Sequence, residues 1–152
     1  MNIDEMLNLI GKNVKFLRQI NDLTQKELAE KINASLNPIS QIEFGSFNCR
    51  LTLLESIAKF YNIDLADIFC INLQSAYIMR KTETFNPDSR ELFAQNVAFH
   101  LKNRNWSQLD LCSKNVESTT LSLILNIKGN PKIKAYIAIA EGLEIPLKEL
   151  FK

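Results

Sequence analysis

The sequence predicts an all-α chain built from two tandem five-helix units joined by an apolar linker, and three observations carry that prediction. Apolar residues recur at helical spacing between start and stop signals from residue 4 to residue 69, and no stretch alternates apolar and polar residues strongly enough to compete as a strand. The second half then repeats the first. WSQLDL at Trp106–Leu111 matches LTQKEL at Leu23–Leu28 at an offset of 83, and LSLILNIKGNP at Leu121–Pro131 matches ISQIEFGSFNC at Ile39–Cys49 at an offset of 82, so one residue is lost in the turn near Asn115 and Val116. The ends agree as well: Ala140 matches Ala58, Ile145 matches Ile63 and Phe151 matches Phe69. Finally, 152 residues with 46% hydrophobic content suffice for one domain or two small ones with real cores.

In chain order, a first helix is expected from Asp4, as cap, to Ile20, with Met6, Leu7, Leu9, Ile10, Val14, Leu17 and Ile20 as its apolar stripe. Asn21 and Asp22 turn the chain into Leu23. Thr24 with Glu27 three residues on predicts a reciprocal cap and a helix starting at Gln25, with Leu28, Ala29 and Ile32 inward and Asn33 left-handed at its end. Ser35 is the next cap candidate. Pro38 is tolerable in a first turn, Ile39 and Ile42 point inward, and Leu36, Asn37, Ser40 and Gln41 are left facing outward. Gly45 to Asn48 reads as a polar loop with Phe47 as an exposed aromatic. A fourth helix is expected over 51–61, broken by Asn62, and a short fifth one capped by Asp64 and ending at Phe69. Residues 70–87 form the linker; Ile71, Leu73, Tyr77, Ile78, Met79 and Phe85 make it too apolar for a solvated tether, and Pro87 ends it. Asp88 with Glu91 predicts another reciprocal cap, opening the second unit, 88–152.

Composition narrows the function. Residues 1–69 carry seven Lys and Arg against nine Asp and Glu, and residues 89–152 nine against six, so neither half is strongly basic. The three cysteines, Cys49, Cys70 and Cys112, have no metal-ligand spacing and read as structural thiols, and His100 is the sole histidine. With no glycine-rich phosphate loop and no nucleophile paired with a base, an enzyme is not expected, nor is a cofactor or metal. The longest apolar run, near Leu121–Ile127, is far short of a membrane span, and no basic-then-apolar leader opens the chain, which predicts a cytoplasmic protein.

The motifs LTQKELA at Leu23–Ala29 and Ile39, Ser40, Glu43 and Gly45 together resemble the helix-turn-helix of the phage-repressor and Cro-like family, often called the XRE family. The resemblance spans about 60 residues. Asn33 stands where the family usually has glycine and Cys49 where it usually has proline; in the second half Pro131 restores the proline. The resemblance implies a second helix, Leu36 to Glu43, lying in the major groove of double-stranded DNA and presenting Ser35, Leu36, Asn37, Ser40 and Gln41. Asn and Gln can each pair bidentately with adenine there. Gln25 would hold a phosphate at its helix N-terminus, and Ser46, Asn48 and Arg50 the backbone on the other flank. It also implies an ion pair between Arg18 and Glu43.

The second copy departs from this pattern. Arg18 and Glu43 become Leu101 and Leu125, Asn37 and Gln41 become Thr119 and Leu123, and Gly45 becomes Ile127. A helix carrying Leu121, Leu123, Ile124, Leu125 and Ile127 is apolar nearly all round and is expected to be covered by protein, so Leu123, Leu125 and Ile127 are assigned to dimerisation. The expected function is a sequence-specific DNA-binding transcriptional regulator acting as a homodimer on an inverted repeat. The alternative is a protein-interaction module, antitoxin-like or antirepressor-binding, that keeps the fold without reading DNA.

Overall fold

The computed structural model describes residues 1–79 and 88–152. Phe85 and Pro87, and the side chains of Ile78 and Met79, lie outside the described residues. The chain is all-helical: α1 (Ile3–Ile20), α2 (Gln25–Lys31), α3 (Leu36–Phe44), α4 (Leu51–Phe60), α5 (Leu65–Ile68), α6 (Leu73–Met79), α7 (Ser89–Asn103), α8 (Gln108–Cys112), α9 (Ser118–Leu125), α10 (Ile133–Gly142) and a C-terminal 3-10 helix (Leu147–Phe151). Among the described residues the sole extended pairing is an isolated antiparallel bridge between Arg50 and Lys132.

Local chemistry explains where most elements begin and end. The cap of α1 is Asn2, not Asp4: Asn2 Oδ1 accepts from the Glu5 N–H at 2.9 Å while Glu5 Oε2 accepts from the Asn2 N–H at 2.8 Å. The Asn2–Glu5 pair satisfies two orphan donors at once, which a lone Asp4 would not. Ser35 precedes α3 in extended conformation without a capping hydrogen bond, and the side chains of Asp64 and Asp88 do not cap α5 and α7. In place of a reciprocal cap with Asp88, Glu91 accepts from Gln95 one turn further on. What was read as a linker begins as a helix: Leu73 of α6 is buried, and the Tyr77 ring meets Phe16 edge-on at 6.3 Å.

Left-handed backbone recurs at the same places in both halves. Asp22 and Asn105, Asn33 and Asn115, Gly45 and Ile127, and Asn62 and Glu144 all have φ between 53° and 86°. The first pair is 83 apart and the other three 82, so the lost residue precedes Asn115 and is seen as the shorter α8. Ile127 is the costly member, since a β-branched residue meets its own backbone there.

The buried apolar residues form one continuous cluster running through both halves. Within the first half, α1 crosses against α3, and Gly11 makes this approach possible, because a Cβ there would collide with the Ile42 carbonyl oxygen. Between the halves, equivalent residues meet each other. Arg50 bridges Lys132, 82 residues on. The Leu51 N–H donates to the Pro131 carbonyl at 3.4 Å, and reciprocally the Ile133 N–H donates to the Cys49 carbonyl at 2.8 Å. The rings of Phe69 and Phe151 meet at a tilt of 42° with centroids 5.3 Å apart. Reciprocal contact between equivalent residues is the mark of a two-fold-type, isologous junction, here enclosed within one chain.

Candidate nucleic-acid interface

The α2–turn–α3 segment is fixed from both ends. Thr24 and Glu27 close a reciprocal cap, Thr24 N–H to Glu27 Oε2 at 2.7 Å and Glu27 N–H to Thr24 Oγ1 at 3.1 Å, and these hydrogen bonds hold the Glu27 carboxyl below its ordinary range. The turn is closed by Asn33, at φ 56°, with the Ala34 N–H reaching back to the Ala29 carbonyl at 2.8 Å. Pro38 sits in the first turn of α3, where its missing N–H leaves nothing unpaired. Gly45, left-handed at φ 86°, ends the helix.

The inner face of α3 is locked by burial and charge. Ile39 and Ile42 are buried. Glu43 makes a bidentate pair with Arg18, Nε to Oε1 at 2.6 Å and Nη2 to Oε2 at 2.8 Å, and it also accepts from Gln25 Nε2 at 2.9 Å. Arg18 Nη1 donates in turn to the Leu23 carbonyl at 2.8 Å, so one guanidinium ties α1 to both α3 and the start of α2. Hydrogen bonding to Glu43 raises the arginine pKa above its ordinary value. The opposite face is free: Ser35, Leu36, Asn37, Ser40 and Gln41 are all exposed.

The flanking candidates differ in their freedom. Gln25 turns its amide inward to Glu43, leaving backbone N–H groups as its outward donors. Ser46 is exposed. Asn48 Oδ1 accepts from the Lys134 N–H at 3.0 Å, and Arg50 Nη1 donates to the Asn130 carbonyl at 2.6 Å, so both are tied to the second half. Phe47 is half-buried against the core and Phe44, 82% exposed at the end of α3, is the outward aromatic. Helical phase explains the exposure of Phe44, which falls three residues after Gln41 on the same outward face.

A family model described as helix-turn-helix matches residues 14–68. An uncharacterised helix-turn-helix-type transcriptional regulator of Methanocaldococcus jannaschii is 39% identical over 56 residues, 37% of this chain and 85% of that protein. The chain belongs to the XRE-type helix-turn-helix family. Antitoxin PezA of Streptococcus pneumoniae is 38% identical over 60 residues, covering 40% of this chain and 38% of the antitoxin. A competence pilus inhibition repressor of Acinetobacter baylyi is 36% identical over 62 residues, 41% of this chain and 56% of the repressor. The chain thus spans well under two thirds of these last two relatives. No solved structure gives a significant match.

The family match falls within the first half. In the second half, Leu121 and Ile124 are buried and Leu125 is half-buried against its own core, whereas Leu123 is 39% exposed. Ile127 lies beyond the end of α9, in the left-handed position, and is 48% exposed. Within the single chain, therefore, the helix keeps Leu123 uncovered, and its apolar run outlasts the helix itself. Sequence reasoning passed over Gln108, Lys128 and Lys132, all exposed, which the 82–83 offset places at the positions of Gln25, Ser46 and Arg50. Among the described residues no helix is long and apolar enough to cross a membrane.

Proposed function

We propose that this protein is a sequence-specific double-stranded DNA-binding transcriptional regulator that lays α3 in the major groove, working in the cytoplasm with double-stranded DNA as its partner. The observation that carries the reading is the division of α3: an inner face held by Ile39, Ile42 and the Arg18–Glu43 pair, and an outer face presenting Asn37, Ser40 and Gln41. A rigid helix with free amides on its outer face can pair with base edges without first losing side-chain contacts to its own core. Ser35, Leu36 and Phe44 border that face; backbone N–H groups at Gln25, with Ser46, Asn48 and Arg50, supply phosphate contacts. The units proposed are 1–69 and 88–152, joined through 70–87.

The target is an inverted repeat with half-site centres about 34 Å, or one helical turn, apart or a multiple of that. A homodimer meeting through Leu123, Leu125 and Ile127 is one way to place two readers on it. Selection from a random duplex library tests the whole reading: enrichment of a two-part motif, with affinity falling steeply with salt, is expected. Recovery of unenriched sequence would refute it.

A second reading, an interaction module that does not read DNA, is favoured by the excess of acidic residues in the first half, by exposed Leu36 and Phe44, and by the antitoxin among the relatives. Absence of salt-dependent retention on random duplex would select it.

A further inference from the structure

We propose that α9 is a second DNA-reading helix, so that one chain, without a partner copy, covers both half-sites of an operator whose halves differ in sequence. The inference rests on the DNA reading above and departs from it in where the second reader comes from.

The junction between the halves supplies the geometry. Arg50 meets Lys132, Leu51 and Pro131 are mirrored by Ile133 and Cys49, and Phe69 meets Phe151. Contacts of equivalent with equivalent residues relate α3 to α9 by the same two-fold-type operation that relates the readers of an inverted repeat on DNA. Residues flanking the two helices also share one open groove: Asn48 and Arg50, beyond α3, line it with Leu123 of α9, Asn130, Lys132 and Glu117, the residue before α9.

The chemistry of the second half fits a duplex better than another protein. At the positions equivalent to the phosphate contacts of the first half stand Gln108, Lys128 and Lys132, all exposed. Lys128 replaces Ser46, so the loop after α9 is more basic than its counterpart, and residues 89–152 hold nine Lys and Arg against six Asp and Glu. Gln108, with Leu125 at the position equivalent to Glu43, lacks the acceptor that turns Gln25 inward. Exposed positive charge around a reading helix is what a phosphate backbone requires. Loss of the ion pair does not unseat α9, because Leu101 is buried and Leu125 packs on the core where Arg18 and Glu43 would be.

The groove-facing side chains set what the second half reads. Thr119, Ser122 and Leu123 are exposed. Hydroxyls pair with several base edges and a leucine touches a thymine methyl, so this half-site is read loosely, while Asn37 and Gln41 specify the other.

The test uses the full chain and a duplex selected from a random library. Analytical ultracentrifugation should give one chain per duplex, and hydroxyl-radical footprinting should protect two unlike halves. Lys128→Gln should lower the slope of log affinity against log salt by about 0.9 and thin protection on one half alone, the half unaffected by Gln41→Ala. Leu123→Asp should lose that same half with the protein's own sedimentation unchanged. Two chains on a duplex with identical halves, a Lys128→Gln slope equal to that of the parent, or a Leu123→Asp protein that converts from dimer to monomer would overturn the inference and leave the DNA reading standing. Failure of the parent protein to bind any duplex in a salt-dependent way would overturn both.

Discussion

Exchanging Arg18 for leucine should destabilise the protein far more than exchanging both partners of its ion pair. The side chains of Arg18 and Glu43 are 12% and 4% exposed, and two charge-assisted hydrogen bonds join them at 2.6 and 2.8 Å. Arg18→Leu leaves the Glu43 carboxylate out of water with only the Gln25 amide as donor, and stranding one member of a buried pair costs about 3–5 kcal/mol. Glu43→Leu strands an arginine nearer the surface that keeps its bond to the Leu23 carbonyl, so about 2 kcal/mol is expected. The double exchange removes both charges and recreates the Leu101 and Leu125 of the second half; it still leaves the Leu23 carbonyl and the Gln25 amide without partners, roughly 1–2 kcal/mol. The two single losses, roughly 5 kcal/mol or more together, therefore exceed the double loss by about 3 kcal/mol. Urea melts of the four proteins measure this directly, as midpoints at unchanged slope. Agreement of the double loss with the sum of the singles, to within about 0.5 kcal/mol, would refute the argument, because residues that do not share a contact add.

Other outcomes follow from single features. Gln41→Ala or Asn37→Ala should cost about 1–3 kcal/mol in specific DNA affinity with the helical content and melting unchanged; equal loss on random duplex would show that neither side chain reads bases. Ile127→Gly should raise stability by about 1 kcal/mol, hence roughly 2–4 °C in melting temperature, because relief of a β-branched residue at φ 54° outweighs the packing lost from a side chain 48% exposed. An unchanged or lowered melting point would mean that Ile127 packs in a way that outweighs its backbone. Burial pushes the phenols of Tyr61 and Tyr136 up to about 12, above the ordinary value near 10. A raised folded pKa stabilises below the unfolded value, so this contribution is intact up to about pH 10 and lost as pH rises toward 12. Ionisation of every tyrosine near pH 10 by ultraviolet absorbance, with helical dichroism intact, would contradict it.

Much of the helical order was legible because it is local. Thr24 with Glu27 and the alternation of Ile39 and Ile42 with exposed Asn37 and Gln41 need only caps and helical phase, and both appear in the structure at the expected residues. Caps that depend on tertiary surroundings were not legible. Ser35 and Asp88 have the right side chains for caps, yet the chain enters α3 and α7 without using them, and Asn2, before the first apolar residue, does the capping for α1. Phe47, expected to be exposed, is half-buried, because a loop residue has no phase to predict its burial. The linker was readable as apolar but not as helical, since Tyr77 reveals its purpose only when Phe16 is seen beneath it, and Leu73 only when it is seen buried. The junction between the halves was invisible for a different reason: equivalence at 82 residues says that two segments are alike, not that they touch.

That junction bears on the charge balance, in which neither half is strongly basic. An excess of acidic residues in the first half would weaken attraction to a phosphate backbone if that half docked alone. Held against the second half by the Arg50–Lys132 bridge and the Phe69–Phe151 contact, it does not dock alone. Under the proposed reading the basic second half supplies the salt-sensitive, sequence-blind attraction and the first half supplies the base contacts. A chain organised in this way needs little net charge, because the attraction is placed where phosphates lie. On that reading the salt-sensitive share of the affinity comes from the second half, and Asn37 and Gln41 supply the difference between an operator and random duplex.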